Sequence, residues 1–403
     1  MIDPENLPAV GLDFLILPVF VESPVNQHIL FVIENLFSLG AAQQLKVLAA
    51  GLVAQGHKIH VAVLGQRSFE PTQWTNLDIE VSFLNGDDKT PLHTTRDGFQ
   101  VVKELRQLIA NLSPTIVHTW CGDAELLTLI AVEDVPLIKP LKRIRLISTE
   151  LYRQPEKRFV RQFIENRMAG RVERMIVPHE SVKQHLVENG YHEPRISIVA
   201  NAVATTPLNR FESKRELCRR LDLPESSKVA GTVAKLHHRS RLKDLIWATD
   251  LLTCIREDFH FIIIGAGAQL KRLKRFASLT ESRNHVHFLG QPDWPELLVA
   301  GLDFYWHSHL NDPLSGNLLA AMAHEIPAIS VLGSGTEPIV KHQETGMAVN
   351  FGARDEFARW TKYFIEQTDS TEQLGLQGKN HVISKFDKSK MIDGYLKIYD
   401  QTA

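Results

Sequence analysis

Short apolar runs alternate with longer amphipathic stretches along the first half of the chain. The short runs are rich in β-branched residues and predict strands at 28–34, 58–64, 115–120, 145–150, 173–178 and 195–200. The stretches between them repeat apolar residues at helical spacing, notably at 41–56 and 99–112. Strands that are apolar on both faces and alternate with helices predict a parallel, doubly wound α/β sheet.

The same pattern begins again further along the chain. Strands are predicted at 228–236, 260–267, 286–290, 303–308 and 327–333, with helices at 241–255, 316–324 and 353–367. The stretch 201–215 has no periodicity and is predicted to be a linker. Two Rossmann-like sheets facing each other would leave a cleft at the carboxyl ends of their strands, where open α/β sheets bind ligands.

This restart predicts two domains and two flanking segments. We expect an irregular extension over 1–27, a first Rossmann-like domain over 28–203 and a second over 204–385. The last segment, 386–403, has a helical pattern and could pack back on the first domain.

Composition narrows the class of protein. Lys plus Arg total 45 against 47 for Asp plus Glu, a net charge of −2, which argues against a nucleic-acid binder. The three cysteines, Cys121, Cys218 and Cys254, are far apart and lack the spacing of a disulfide framework or a zinc site. The start has no basic, apolar signal segment, and no apolar run is long enough to cross a bilayer. We therefore expect a cytoplasmic protein.

Four segments carry a family resemblance. They are NLFSLGAAQQLKVLAAGLVAQGHKIHVAVLG at 35–65, and the stretches 173–203, 228–248 and 260–349. In this order and spacing they resemble the retaining glycosyltransferases of family four, which have the GT-B fold, over about residues 28 to 400. The resemblance implies transfer of a hexose from a UDP- or GDP-linked sugar, in polysaccharide or glycolipid synthesis. It implies no metal and no cofactor besides this co-substrate, and it leaves the acceptor open among a sugar, a lipid and a protein.

Such a reaction needs groups that hold a diphosphate, which suits cationic side chains and helix N-termini. By the resemblance, Lys235 matches the family's donor-phosphate arginine. The second cation of the family falls on the uncharged Ser240, flanked by Arg239 and Arg241. These two arginines could replace it, or they could belong to a solvated turn before a helix.

The segment AMAHEIP anchors the family's pair of glutamates. The first falls on Asp312, which the resemblance places near the transferred sugar as a catalytic residue, and the second on Ala320. Alanine cannot hold a nucleotide ribose. Losing that contact and one phosphate cation would weaken donor binding by about a hundredfold to ten-thousandfold.

A helix start follows Asp312. Ser315, Gly316 and Asn317 precede an apolar helix, with Ser315 as a candidate N-cap. Amide groups at this start could bind a diphosphate, although a simple capped helix is an equal alternative. Glu337 matches an acidic position of the family and is a candidate donor contact.

The acceptor side rests on two residues of the first domain. Gly40 follows the first strand, where the resemblance implies a backbone approach to phosphate or acceptor, although Leu39 replaces the family's other glycine. His118 matches a family histidine near the acceptor and is the second candidate catalytic residue, with a satisfied strand-end histidine as the alternative. Ala202 stands in place of a hinge glycine.

Three further patterns leave alternatives open. The basic stretch 139–171 could touch an anionic membrane surface, or it could be a solvated helix. Gly265 and Gly267 fit a tight turn after a strand, and paired histidines at 285/287 and 307/309 fit core or cleft positions better than a metal site.

Because several expected residues are replaced, a catalytically inactive homologue that partners an active transferase is the alternative function.

Overall fold

The structure is a computed structural model that describes residues 26–36, 40–65, 72–84, 95–132, 144–151, 169–203, 208–292, 295–309, 315–333 and 335–401. It contains two parallel β-sheets, one in each half of the chain, with helices on both faces. The predicted α/β fold with two doubly wound sheets is confirmed. The predicted extension 1–27, Leu39 and Asp312 fall mostly or wholly outside the described residues.

Among the described residues, the first sheet has seven strands. They are β1 His28–Ile33, β2 Lys58–Val63, β3 Glu80–Phe83, β4 Ile116–Trp120, β5 Arg145–Thr149, β6 Val172–Val177 and β7 Ile196–Ile198. Their order is β3-β2-β1-β4-β5-β6-β7, and every neighbouring pair is parallel. The described helices of this half are α1 Ala41–Ala54, α2 Thr72–Thr75, α3 Thr95–Leu112, α4 Gly122–Val132 and α5 Glu180–Glu188.

Alternate residues of the central strand enter two cores. Phe31 and Ile33 pack on the face covered by α1, whereas Leu30 and Val32 pack on the face covered by α3 and α4. Since successive side chains of a strand point to opposite faces, a continuous apolar run is what a sheet buried on both sides requires.

The second sheet has six parallel strands in the part of the chain that the structure describes. They are β8 Lys228–Val233, β9 Phe259–Ile264, β10 Val286–Gly290, β11 Phe304–His307, β12 Ala328–Val331 and β13 Met347–Val349. Their order is β10-β9-β8-β11-β12-β13. The helices of this half are α6 Arg210–Leu221, α7 Leu242–Thr253, α8 Leu270–Ala277, α9 Pro295–Ala300, α10 Gly316–Ala323, α11 Arg354–Glu366 and α12 Thr368–Lys385.

The last helix, α13 Lys388–Gln401, packs on the first domain. Met391, Tyr395 and Tyr399 join the core formed by α1 and β1. Gly51 of α1 permits this approach, because a Cβ atom there would lie 2.2 Å from the side chain of Ile392.

Some elements differ from the sequence-based expectation. The edge strands β3 and β13 were not predicted, because each is too short to show as an apolar run. Helix α6 begins inside the stretch 201–215 predicted to be a linker. It buries only Ser213, Leu217 and Cys218, and most of its residues are polar, so it shows no strong apolar periodicity. Helix α12 was also missed, since its buried positions include two glycines.

Candidate active site between two switch points

The strand order reverses once in each sheet, and these two points position the candidate site. In the first sheet, later strands are added beside β1 on one side and beside β4 on the other, so the order reverses between β1 and β4. In the second sheet the same reversal lies between β8 and β11. Loops that follow such strands diverge and leave a crevice where open α/β sheets bind ligands. Gly40 follows β1, while the loop after β8 carries Lys235, Arg239 and Arg241.

The two domains meet at these crevices. The backbone N–H of Gly40 donates a hydrogen bond of 3.0 Å to Oδ1 of Asn317 in α10. At the neighbouring Gly316, a Cβ atom would lie 2.9 Å from Nε2 of Gln44 in α1. The structure therefore brings the predicted acceptor-side glycine together with two residues of the predicted donor-side helix start.

Gln44 joins this contact to the linker between the domains. Its Nε2 donates to the carbonyl oxygen of Ala202 at 2.9 Å, and its Oε1 accepts from the N–H of Ala202 at 2.9 Å. Gln44 was not among the predicted site residues. The available signal was a pair of glutamines, Gln43 and Gln44, in a largely apolar helix, and both are buried.

Ser315 takes the N-cap position that was predicted for it, but without a capping bond. Helix α10 begins at Gly316, and the Ser315 side chain makes no cap hydrogen bond. Its Oγ is buried and has no hydrogen-bond partner within the described chain. The start of α10 therefore has no side-chain oxygen from Ser315 bound to its first amides.

The loop after β8 is held by the loop after β9. The N–H of Leu236 donates to the carbonyl oxygen of Ala266 at 2.9 Å. Gly265, at a φ of 139°, comes so close that a Cβ atom would lie 1.9 Å from the carbonyl oxygen of Ala234. Only glycine fits here. The glycine therefore fixes the backbone that presents Lys235, which is exposed and has no ion pair among the described residues.

The two arginines of this loop point to different surroundings. Arg241 donates from Nε to the Asp244 carboxylate at 2.6 Å, and Arg354 binds the same carboxylate at 2.9 Å. The Arg241 guanidinium also lies 4.9 Å from the ring centre of Phe351. Arg241 thus belongs to an ion-pair cluster beside a cavity of about 300 Å³ at the start of α7. Arg239 stays in the half-buried turn before it.

A pair of histidines lies next to Arg239. The ring centres of His237 and His309 are 5.2 Å apart. Burial is the main cause that lowers the pKa of His309 to about 4, with smaller contributions from His237 and Arg239. Burial also lowers the pKa of His237. At neutral pH both rings are therefore uncharged and could donate or accept hydrogen bonds.

His118 does not reach the cleft, as a catalytic residue near the acceptor would have to, and it matches the alternative of a histidine with satisfied hydrogen bonds. Its ring is fully buried, with Nδ1 2.7 Å from the Tyr399 hydroxyl and Nε2 2.8 Å from the Thr149 hydroxyl. Burial lowers its pKa to about 3. His118 lies inside the strand and not beyond it, since Thr119 and Trp120 still belong to β4. With both ring nitrogens engaged, it is a core histidine and cannot contact substrate in this arrangement.

Two family models match adjacent parts of the chain. The model "Glycosyltransferase Family 4" matches residues 39–206, and "Glycosyl transferases group 1" matches residues 213–381. Their boundary coincides with the passage from the first sheet to the second. The chain belongs to the family-four glycosyltransferases.

Curated relatives agree with this family. The lipopolysaccharide core biosynthesis glycosyltransferase LpsE of Rhizobium meliloti is 22% identical over 179 residues, which are 44% of this chain and 52% of the relative. An uncharacterised glycosyltransferase of Haemophilus influenzae is 20% identical over 85% of this chain and 92% of its own length. The chain spans about half the length of the first curated relatives that it matches.

A solved structure shows the same GT-B fold over nearly the whole chain. HepE of Anabaena, crystallised with UDP and glucose, has a TM-score of 0.76 and 17% identity, and the match covers 93% of this chain and 99% of HepE. HepE has also been crystallised with UDP-glucose. The architecture predicted from the resemblance is therefore confirmed.

Two positions where family-four glycosyltransferases were expected to carry charge are buried here. Ser240 is fully buried, and its Oγ donates to the carbonyl oxygen of Lys235 at 2.5 Å. The Ser308 hydroxyl in turn donates to the carbonyl oxygen of Ser240 at 2.6 Å. Ala320 lies within α10 and is 6% exposed. Ser240 therefore ties the loop after β8 to that after β11, and neither position presents a charge.

Glu337 is exposed, and its carboxylate accepts a 2.9 Å hydrogen bond from the N–H of Gly335, which shapes the turn after β12. Most of the basic stretch 139–171 lies outside the described residues. Across the parts of the chain with described coordinates, no group of three His, Cys, Asp or Glu side chains could hold a metal ion. No helix among those parts is long and apolar enough to span a membrane.

Proposed function

We propose that this family-four protein transfers a hexose from a UDP- or GDP-linked donor to an acceptor, with retention of configuration. Lys235 and the amides of residues 315–317 would hold the diphosphate, with Arg239 and Glu337 beside them. Asp312 would lie near the transferred sugar, and the acceptor would enter next to Gly40. The cationic side chains of Lys235 and Arg239 and the dipole of α10 oppose the negative charge that a leaving nucleoside diphosphate gains.

The hydrogen bond between Gly40 and Asn317 is the observation that carries this proposal. It joins the loop at the switch point of the first sheet to the helix that follows the switch point of the second. A donor held by the start of α10 would therefore lie against the first domain. The UDP-glucose complex of HepE, which has the same fold, supports a nucleotide sugar as the ligand.

Nucleotide binding is the first test. The protein should be heated with UDP, GDP, ADP or UDP-glucose at millimolar concentration, and its melting temperature compared with that of the free protein. A ligand at a hundred times its dissociation constant stabilises a protein by about 2.7 kcal/mol, which gives a clear shift. Release of UDP or GDP from the matching sugar donor would then establish transfer or hydrolysis. No shift with any of these nucleotides would contradict the proposal.

Ser240 and Ala320 favour a second candidate function, a non-catalytic partner of an active transferase. Both are buried and uncharged where the resemblance implies groups that bind the donor. The two functions differ in one measurement, since a non-catalytic partner releases no nucleotide from UDP- or GDP-sugars. Its candidate binding partner would be an active family-four enzyme, so co-purification with such an enzyme would be the positive result.

A further inference from the structure

A wide groove lies at the outer edge of the second domain, away from the loops that follow β8 and β11. It has a volume of about 540 Å³ and runs beside β13, α11 and α12. Its polar and aromatic lining, which we call the amide groove, consists of Gln343, Trp360, Tyr363, Ser370, Gln373 and Gln377. Met347 of β13 and Leu374 of α12 complete it.

The lining of the amide groove carries no charge. This differs from the cavity at the start of α7, where Arg241, Lys243, Arg272 and Arg354 surround the single carboxylate of Asp244. A groove without charged groups offers nothing specific to a phosphate, a carboxylate or an ammonium group. Its ligand should therefore be neutral.

The polar groups of the amide groove are available. The side chains of Gln343, Gln373 and Gln377 make no hydrogen bond within the described chain, and neither does the Ser370 hydroxyl. A glutamine amide both donates and accepts, as does a serine hydroxyl. Sugar hydroxyls have the same double capacity, so three amides and one hydroxyl match a row of them.

Aromatic rings supply the other element of sugar recognition. Tyr363 is 38% exposed and lies edge-to-face with Trp360, with ring centres 5.7 Å apart. Trp360 is held in place by His342 at its edge and by the Arg359 guanidinium, 4.9 Å from its ring centre. The exposed Tyr363 ring combines an apolar face with a polar tip, which suits the apolar C–H face and the hydroxyls of a pyranose.

We propose that the amide groove is a binding site for a neutral saccharide chain, separate from the site of transfer. A neutral peptide is less well matched, because the groove combines little apolar area, from Met347 and Leu374, with several free amides. The site does not depend on the proposed transfer reaction, because none of its residues lies in the loops that follow the switch points.

Binding can be measured by isothermal titration in the absence of any nucleotide. The probes are maltohexaose, cellohexaose and a mannose hexamer, with a hyaluronan hexasaccharide as the anionic comparison and a Gly-Ser peptide as the neutral peptide. At least one neutral hexasaccharide should bind saturably at millimolar concentration, and more tightly than the hyaluronan fragment. Absence of binding by all three, or preference for the hyaluronan fragment or the peptide, would overturn the proposal.

Variants locate the site. Tyr363→Ala should weaken the measured affinity by about tenfold, and Gln377→Ala by about two- to tenfold, as expected for the loss of one neutral hydrogen bond. Matched controls are Phe211→Ala, at an exposed ring on α6, and Gln184→Ala, at a glutamine on α5. Binding that Tyr363→Ala and Gln377→Ala leave unchanged would also overturn the proposal.

The Lys235→Ala variant separates this inference from the proposed function. It should lose affinity for UDP while keeping the full affinity of the amide groove for the hexasaccharide. If the wild-type protein binds the hexasaccharide but not UDP, that result would count against the proposed transferase function alone. Retained UDP binding with no saccharide binding would count against the groove alone.

Discussion

Two histidines occupy comparable places in the two sheets but have different surroundings. His118 belongs to β4 and His309 follows β11, the strands on the far side of the two switch points. His118 is the third residue of its strand, and two more strand residues follow it, so its ring enters the core. His309 lies two residues beyond the end of β11 and joins His237 and Arg239 at the crevice. A shift of a few residues along a strand therefore separates a core histidine from a cleft histidine.

The same contrast extends to the loops around them. In the first domain, the ring beneath the crevice is fixed by Tyr399 and Thr149. In the second, the loop after β8 presents the exposed Lys235 on a backbone fixed by Gly265. At these positions the first domain contributes a buried, hydrogen-bonded ring, and the second contributes the charge of Lys235. Substitutions in the two domains test this division.

Gly265→Ala should have the largest effect. The new Cβ would lie 1.9 Å from the carbonyl oxygen of Ala234, and the alanine would have to adopt a φ of 139°. The loop must therefore move. We expect a loss of about 2–5 kcal/mol in the free energy of unfolding, measured by urea denaturation, together with weaker UDP binding. Gly290→Ala is the control, because Gly290 has a φ of 65° but open space around it, and should cost only about 1–2 kcal/mol.

Lys235→Ala should remove donor affinity without affecting the fold. Losing one charged hydrogen bond costs about 1.5–3 kcal/mol, so the dissociation constant for UDP should rise by about 10- to 150-fold. Calorimetric titration measures this constant. Lys271→Ala, at an exposed lysine of α8, should leave it unchanged. Equal UDP affinity of the Lys235→Ala variant and the wild type would refute the assignment of charge to this loop.

His118→Gln should change the pH dependence of stability and leave UDP binding intact. The pKa of His118 is about 3 in the folded protein and near 6.5 when unfolded, so the neutral ring stabilises the fold fully above pH 6.5. As the pH falls from 6.5 towards 3, His118 is protonated in the unfolded chain but stays neutral in the folded protein, so the free energy of unfolding decreases. By pH 5 this costs about 2 kcal/mol.

Urea denaturation at pH 7 and pH 5 measures this difference. The wild type should lose more stability than the His118→Gln variant over that interval, because the variant lacks this proton uptake. Identical losses in both proteins would show that His118 titrates in the folded state and is not a core residue.

Asn317→Ala should loosen the contact between the domains. It removes the acceptor of the 3.0 Å hydrogen bond from Gly40, worth about 0.5–1.5 kcal/mol. The radius of gyration from solution X-ray scattering should increase. Asn317→Asp keeps an acceptor oxygen and should retain the wild-type radius. An unchanged radius in the alanine variant would show that other contacts hold the domains together.

Ser315→Ala should have the smallest effect. Serine-to-alanine changes at N-caps usually cost about 0.5–2 kcal/mol, but the Ser315 hydroxyl makes no capping bond. We therefore expect a change of less than about 0.5 kcal/mol in urea denaturation. Asn209→Ala is the contrast, because the Asn209 side chain accepts from the N–H groups of Phe211 and Glu212 and caps α6.

Sequence patterns predicted those parts of the fold that depend on local composition. The central strands were found because burial on both faces requires continuous apolar runs, as in Phe259–Ile264. The edge strand Glu80–Phe83 was missed because it is half-exposed and carries no such run. Helix α6 was missed for a related reason, since only three of its residues are buried.

The site was less predictable because its contacts join distant parts of the chain. The position of Lys235 after a strand could be predicted from the sequence. The ion pair between Arg241 and Asp244, which directs Arg241 to a different surface, could not. The partner of His118, Tyr399, is 281 residues away, and nothing local indicates it. Likewise, the bond between Gly40 and Asn317 spans 277 residues and depends on how the two domains meet.

The return of α13 to the first domain sets an order of events during synthesis. Tyr395 stacks against Trp120 with ring centres 6.0 Å apart, and both belong to the core of the first domain. The ribosome synthesises Tyr395 only after every described strand of the second domain. Until α13 has been synthesised, the part of the first-domain core that α13 covers stays exposed, although amino-terminal domains usually fold first. The domain made first is the one completed last.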